Sequence, residues 1–97
     1  DQTHMQSLVS RIADLRGTLQ KALSQAGYKC PESHTNFVLI PFADLAAARR
    51  ADRRLREAQI VLRNMSGYGL PKCLRATIGT PDAMARLASA LAAGPKA

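Results

Sequence analysis

Apolar residues recur along this chain with two different periods, which divide it into helical and extended segments. In the first segment they recur every three or four residues, as in an amphipathic helix, and Gly27 stands where such a helix would end. These positions are Leu8, Ile12, Leu15, Leu19 and Leu23. Three short apolar runs predict strands: NFVLIPF at 36–42, QIVLR at 59–63 and CLRATIG at 73–79. Pro41 places the first strand at an edge or marks its end.

Two further helices are indicated by their start signals. Asp44 is a suitable N-cap for an arginine-rich helix that runs to about Ala58. Thr80 is an N-cap residue, Pro81 suits the first helical position and Asp82 complements the helix dipole. The predicted order is therefore helix, strand, helix, strand, strand, helix.

This order predicts an α/β protein of the two-layer α+β type. Its sheet should be small and mostly antiparallel, with three to four strands, and three helices should cover one face. A chain of 97 residues is long enough for one such core and too short for two. We therefore expect a single domain over residues 1–97.

Charge adds one feature to this picture, since the formal net charge is +7 and the isoelectric point is near 10.3. Much of the excess lies in the second helix, where Arg49, Arg50, Arg53 and Arg54 share a face. We expect this face to be exposed to solvent. Binding to nucleic acid or to an acidic protein surface stays open, although no aromatic residue lies in the run to stack on a base.

Composition excludes several classes of protein. No apolar run approaches the roughly 20 residues of a membrane span, so no membrane association is expected. Cys30 and Cys73 form neither a disulfide framework nor a zinc-binding pattern. Two reduced thiols are typical of a cytoplasmic protein.

The sequence contains no recognisable active site of its own. It has no glycine-rich phosphate loop, no metal-ligand spacing and no nucleophile signature, so we predict no catalytic, cofactor-binding or metal-binding residue. What remains is Arg63 and Arg75, at the ends of the two late strands and separated by a loop rich in glycine. A guanidinium in an apolar strand needs a carboxylate, a phosphate or an opening to solvent. A structural ion pair and an anion-binding site both satisfy that need.

Several segments resemble one known family. In order along the chain, NFVLIPF, IVLRNMSGYGLPKCLRATIGT and PDAMARLASAL resemble the C-terminal part of the histidinol-phosphate aminotransferases, which are pyridoxal-phosphate enzymes with the aspartate-aminotransferase fold. The resemblance covers nearly the whole chain, and its most specific element is the series from Arg63 through GYGLP to CLRATIGT. It implies that residues 1–97 form the small C-terminal domain and that the large cofactor-binding domain is not part of this chain.

The resemblance also assigns roles to residues. It implies that Arg75 binds the acidic group of the substrate, that Arg63 is the second arginine of this anion site, and that Asn36 lies near the cleft. The substrate would be an amino acid or a phosphorylated amine, and the full-length enzyme would be a homodimer that holds pyridoxal phosphate in the large domain. Lys21, Lys29, Lys72 and Lys96 do not match the cofactor-binding lysine of the family.

Other functions stay open at this point. Threonine-phosphate decarboxylases and aromatic or branched-chain aminotransferases have related small domains. A stand-alone basic module that binds nucleic acid or a protein partner is an alternative of a different class, and nucleic acid is the less expected partner. The chain begins at Asp1 and not at methionine, which fits a piece of a longer polypeptide. By itself it is expected to be inactive.

Overall fold

A computed structural model describes residues 2–94 of the chain, and the surroundings of side chains from residue 5 onward. Its helices are α1 (Gln2–Gln25), α2 (Leu45–Glu57) and α3 (Pro81–Ala93). Its strands are β1 (Phe37–Pro41), β2 (Arg63–Asn64) and β3 (Cys73–Thr77). A short 3-10 turn, Ser66–Tyr68, lies between β2 and β3.

The three described strands form one antiparallel sheet in the order β1-β3-β2. The central strand is therefore β3, which follows both of its neighbours in the chain. Together with three helices, this sheet confirms the predicted α+β fold. Within residues 2–94, no helix combines the length and the apolar character needed to cross a membrane.

The two faces of the sheet differ in burial. Side chains alternate between half-buried and fully buried along β1, and in β3 the same alternation places Leu74 and Ala76 in the core. The core also contains Leu19 and Leu23 of α1, and it includes residues from all three helices. The opposite face carries half-buried residues such as Phe37, so the helices cover one face and leave the other open.

Two helices end in the same hydrogen-bonded turn, the Schellman motif. After α1, the amide of Gly27 donates to Ser24 O and that of Tyr28 to Leu23 O, with Gly27 at a φ of 98°. Gly27 therefore ends α1 as predicted. After α2, the equivalent bonds run from Gln59 N and Ile60 N to Arg56 O and Leu55 O. Here the left-handed position, at a φ of 63°, is occupied by Gln59.

The predicted N-caps are confirmed. The Asp44 carboxylate accepts a hydrogen bond from Ala47 N at 2.8 Å, and the Thr80 hydroxyl oxygen accepts one from Ala83 N at 3.1 Å. Each satisfies an amide that has no partner within its own helix. Pro81 occupies the first turn of α3.

The strand predicted for 59–63 is wrong in its extent, because β2 contains only Arg63 and Asn64. The Ile60 amide is bonded to Leu55 O in the turn that ends α2, so it cannot pair with β3. Leu62 is buried and Val61 is exposed, so burial alternates here as it does in a strand, although these residues belong to none of the strands. The apolar run therefore serves two other purposes: Ile60 closes the end of α2, and Leu62 packs in the core.

The arginines of α2 were predicted to be exposed to solvent. This prediction is confirmed for Arg49, Arg50 and Arg53 and is wrong for Arg54, which is half-buried. The guanidinium of Arg54 lies at the C-terminal end of α3, where a Cβ added to Gly94 would be 2.0 Å from Nη2. It also adjoins Tyr28, whose hydroxyl donates to Leu91 O at 3.1 Å. Burial raises the pKa of Tyr28, and the nearby Arg54 opposes that shift. A cation at the negative end of a helix dipole is favourable, which accounts for its position.

We predict that Gln59→Gly stabilises the fold. Glycine adopts a positive φ without the steric cost that Gln59 bears, and its greater freedom in the unfolded chain offsets part of the gain. A left-handed non-glycine residue costs about 1–2 kcal/mol and the unfolded-state term opposes by about 0.4–1 kcal/mol, so the free energy of unfolding should rise by about 0.5–1 kcal/mol. Urea denaturation of the full-length protein measures this change. Ala58→Gly is the matched control, because Ala58 has a φ of −87° and glycine there should only destabilise. Equal effects of the two substitutions would contradict the prediction.

A second prediction concerns the two described cysteines, which are free and half-buried. Burial raises the pKa of the Cys30 thiol from 9.0 to about 11, and the nearby Cys73 adds to the shift. At about pH 8 the reactive thiolate of Cys30 should be roughly 100-fold rarer than in an ordinary thiol of pKa 9. Alkylation by iodoacetamide, followed by mass spectrometry of the Cys30 peptide, should be slow in the folded protein and should accelerate up to about pH 11. The same peptide in urea is the control, and equal rates in both states would contradict the prediction.

Candidate anion-binding site

Arg75 is the central residue of the central strand. It lies in the middle of β3, and not at a strand end as the sequence analysis expected. Strand alternation directs its side chain to the open face, because its neighbours Leu74 and Ala76 are buried in the core. The Arg75 side chain is half-buried, and its Nε has no hydrogen-bond partner among the described residues.

Arg63 lies directly opposite Arg75. The register of the β2–β3 pair aligns these two residues, so both side chains leave the same face of the sheet. Arg63 is the first residue of β2 and not the last residue of a longer strand, which corrects its predicted position. Two cations in directly opposite positions repel each other, so this pair destabilises the sheet unless an anion binds between them.

A cavity of about 670 Å³ is lined by both arginines. Its other lining residues include Thr77, Gly79 and Met84, and no aspartate or glutamate is among them. Neither Arg63 nor Arg75 forms an ion pair within residues 2–94. The cavity is therefore electropositive, and nothing described in its wall neutralises the two guanidinium groups.

Two further arginines line this cavity, although no pattern in the sequence had indicated them. Arg56 of α2 is 3.2 Å from the Asp52 carboxylate, measured from Nε to Oδ1. Arg86 of α3 donates from Nη2 to Ala58 O at 3.0 Å, which satisfies a carbonyl at the end of α2. Both already have partners in the fold. Asp52 offsets the charge of Arg56, whereas Arg86, bonded to a neutral carbonyl, adds positive charge to the cavity. Arg63 and Arg75 have donors to spare for a ligand.

The segment between the two arginines is held by local hydrogen bonds. Asn64 Oδ1 accepts from Ser66 N at 2.7 Å, and Leu70 N donates to Met65 O at 3.0 Å. Gly69 adopts a φ of 77°, which favours glycine. Met65 is buried and anchors the loop to the fold. The predicted glycine-containing loop is thus an ordered hairpin connection.

Asn36 lies just before β1, and its side chain is exposed. Its carbonyl accepts from Ile78 N at 2.7 Å, which extends the pairing of β1 with β3. Asn36 is not one of the residues that line the arginine cavity. The structure therefore brings Arg63 and Arg75 together and places Asn36 at the other edge of the sheet.

The exposed arginines of α2 form a separate surface. Arg49, Arg50 and Arg53 do not line the cavity, although they lie on the same helix as Arg56. Among the described residues, none of the three takes part in an ion pair. This surface is a solvated helix face, as predicted.

The described lysines lie away from the arginine cavity. None of Lys21, Lys29 and Lys72 is among its lining residues, and all three are exposed. Lys96, also considered in the sequence analysis, lies outside the described residues. No group of three or more potential metal ligands occurs within the described part of the chain.

Comparison with known proteins decides the family. The model of the family "Aminotransferase class I and II" matches residues 1–91. The chain belongs to the class I and II aminotransferases. This membership confirms the family resemblance inferred from the sequence.

Individual relatives agree with this assignment. The chain is 46% identical over 81 residues to a histidinol-phosphate aminotransferase of Jannaschia sp. (strain CCS1), a match that covers 84% of this chain and 22% of the relative. It is 40% identical over 92 residues to a histidinol-phosphate aminotransferase of Roseobacter denitrificans, covering 95% of this chain and 26% of the relative. The chain thus spans about a quarter of the length of the relatives it matches.

A solved structure has the same fold. A putative aminotransferase from Burkholderia pseudomallei superposes with a TM-score of 0.80 at 34% identity, over 86% of this chain and 25% of that one. The α+β arrangement of residues 2–94 is therefore that of part of an aminotransferase.

Proposed function

We propose that this chain is the small C-terminal domain of a histidinol-phosphate aminotransferase and that it supplies the arginines that bind the acidic group of the substrate. The full-length enzyme would transfer an amino group between histidinol phosphate and 2-oxoglutarate, in histidine biosynthesis. The relatives from Jannaschia sp. and Roseobacter denitrificans, which carry that name, support the choice of reaction.

One observation carries the role of this domain. Arg63 and Arg75 are direct cross-strand partners on an open sheet face, and the cavity that they line contains no aspartate or glutamate. A structural ion pair within this chain, the other explanation left open by the sequence, needs a carboxylate, and none of the described lining residues carries one. An anion delivered by the substrate would remove the repulsion between the two cations.

The geometry of the guanidinium group suits both acidic substrates. Each planar guanidinium donates two parallel hydrogen bonds to a carboxylate or a phosphate. In this proposal Arg75, which is half-buried, binds the carboxylate of the amino donor or the phosphate of histidinol phosphate. Arg63 is more exposed and adds a second charge, which matters most for a doubly charged phosphate. We also propose that Asn36, which precedes β1 and does not line the arginine cavity, lies near the substrate cleft of the full-length enzyme.

The remaining parts of the active site belong to the rest of the enzyme. Pyridoxal phosphate, held by the large domain, supplies the electron sink for the chemistry of the amino group. The residues of this chain bind and orient the anionic end of the substrate. We further propose that the full-length enzyme is a cytoplasmic homodimer, and that this chain alone is inactive.

Substitution of Arg75 in the full-length enzyme tests the proposal. Arg75→Ala should lower kcat/KM by roughly 30- to 1000-fold, which corresponds to about 2–4 kcal/mol, because a charge-assisted bidentate contact is lost. Arg75→Lys should recover little, since an ammonium cannot reproduce the planar fork. Arg63→Ala should reduce activity more with a phosphorylated substrate than with an unphosphorylated one.

The control is Arg53→Ala, which removes an exposed arginine that does not line the cavity. It should change neither kcat/KM nor the melting temperature appreciably. The anion-site role of Arg75 would be wrong if Arg75→Ala mainly lowers the melting temperature while the folded fraction keeps near-normal turnover. Arg75 would then be a structural residue.

A further inference from the structure

The aromatic ring of Phe37 lies against the guanidinium of Arg75. The central guanidinium carbon lies 5.0 Å from the centroid of this ring. Leu39 is directly opposite Arg75, and Phe37 precedes Leu39 by two residues on the same face of β1. Phe37 is therefore a diagonal cross-strand neighbour, within reach of a long side chain.

Among the described residues, no hydrogen bond or ion pair holds this guanidinium. Its Nε is buried without a hydrogen-bond partner, and no ion pair within residues 2–94 involves Arg75. A cation over the face of an aromatic ring is attracted by the ring's negative electrostatic potential, and this attraction needs no hydrogen bond. The contact with Phe37 therefore holds the charged end of Arg75, while no described residue takes up its N–H donors.

Phe37 is itself held in place by the segment that precedes β1. The hydroxyls of Ser33 and Thr35 donate to Phe37 O at 2.5 Å and 3.3 Å. The segment is tied to α1, since Arg16 Nη1 donates to Thr35 O at 2.7 Å. The backbone that carries the ring is therefore fixed independently of any ligand.

We infer that Phe37 is a positioning residue for substrate binding: its ring orients the guanidinium of Arg75 before the substrate anion arrives. The inference rests on the proposed function of Arg75 and extends the site to a residue of β1 that does not line the arginine cavity. Preorganisation of this kind lowers the entropy lost on binding. Removal of the ring should therefore weaken anion binding without removing a charge.

The test uses the full-length enzyme and steady-state kinetics with an anionic substrate. Phe37→Leu should raise KM by about 2- to 30-fold, the range that a cation–π contact supports, with a smaller change in kcat. The inhibition constant of inorganic phosphate as a competitor should rise by a similar factor. Phe37→Tyr keeps the ring and should restore both values. If Phe37→Leu does not fold, Phe37→Met provides a second non-aromatic side chain of similar length.

Two controls separate positioning from general packing. Leu39→Ala removes the apolar residue directly opposite Arg75 and should leave the inhibition constant of phosphate within about 2-fold of the wild-type value. In an Arg75→Ala background, Phe37→Leu should have no further effect, because the guanidinium that it orients is absent.

The outcomes also distinguish this inference from the proposed function. If Arg75→Ala leaves kcat/KM unchanged, the anion site itself is wrong. If Arg75→Ala is damaging while Phe37→Leu and Phe37→Tyr change KM equally, or Phe37→Leu has its full effect in the Arg75→Ala background, the anion site stands and the positioning role of Phe37 is overturned.

Discussion

The fold depends on the pairing of β3 with a strand on each side beneath a single layer of helices. This arrangement forces the side chains of β3 into two environments, with Leu74 and Ala76 in the core and Arg75 on the open face. The same pairing aligns Arg63 with Arg75 and brings Phe37 against the latter. One set of backbone hydrogen bonds therefore builds both the hydrophobic core and the positively charged site. A shift of register by one residue would turn Arg75 into the core and destroy both.

Sequence patterns predicted the elements whose signals are local. Asp44, Thr80 and Gly27 mark helix ends because a cap depends on residues within one turn. The α+β class followed from the order of helices and strands. The importance of Arg75 was also visible, since a cation in an apolar strand needs a compensating interaction.

Features that depend on tertiary contacts could not be read from the sequence. The run from Ile60 to Leu62 has the composition of a strand, yet the first amide of this run closes the end of α2. Arg54 belongs to a charged helix face, and only the position of α3 explains why it is half-buried. Strand register has no local signal in the sequence. It is register that places Arg63 opposite Arg75 and brings Phe37 against Arg75. Arg86 lines the cavity, but the sequence of α3 indicates only where this helix begins and not which side chains face the sheet.

The connection between β2 and β3 has a consequence for the order of assembly. Arg63 and Arg75 belong to one hairpin, whose loop is closed by bonds such as that from Ser66 N to Asn64 Oδ1. Closing a short loop costs little entropy, so the two cations can meet early in folding. The ring of Phe37 reaches Arg75 only when β1 pairs with β3 across a long stretch of intervening chain. The pairing of the two cations thus depends on a local hairpin, whereas the contact with Phe37 depends on the long-range pairing of β1 with β3.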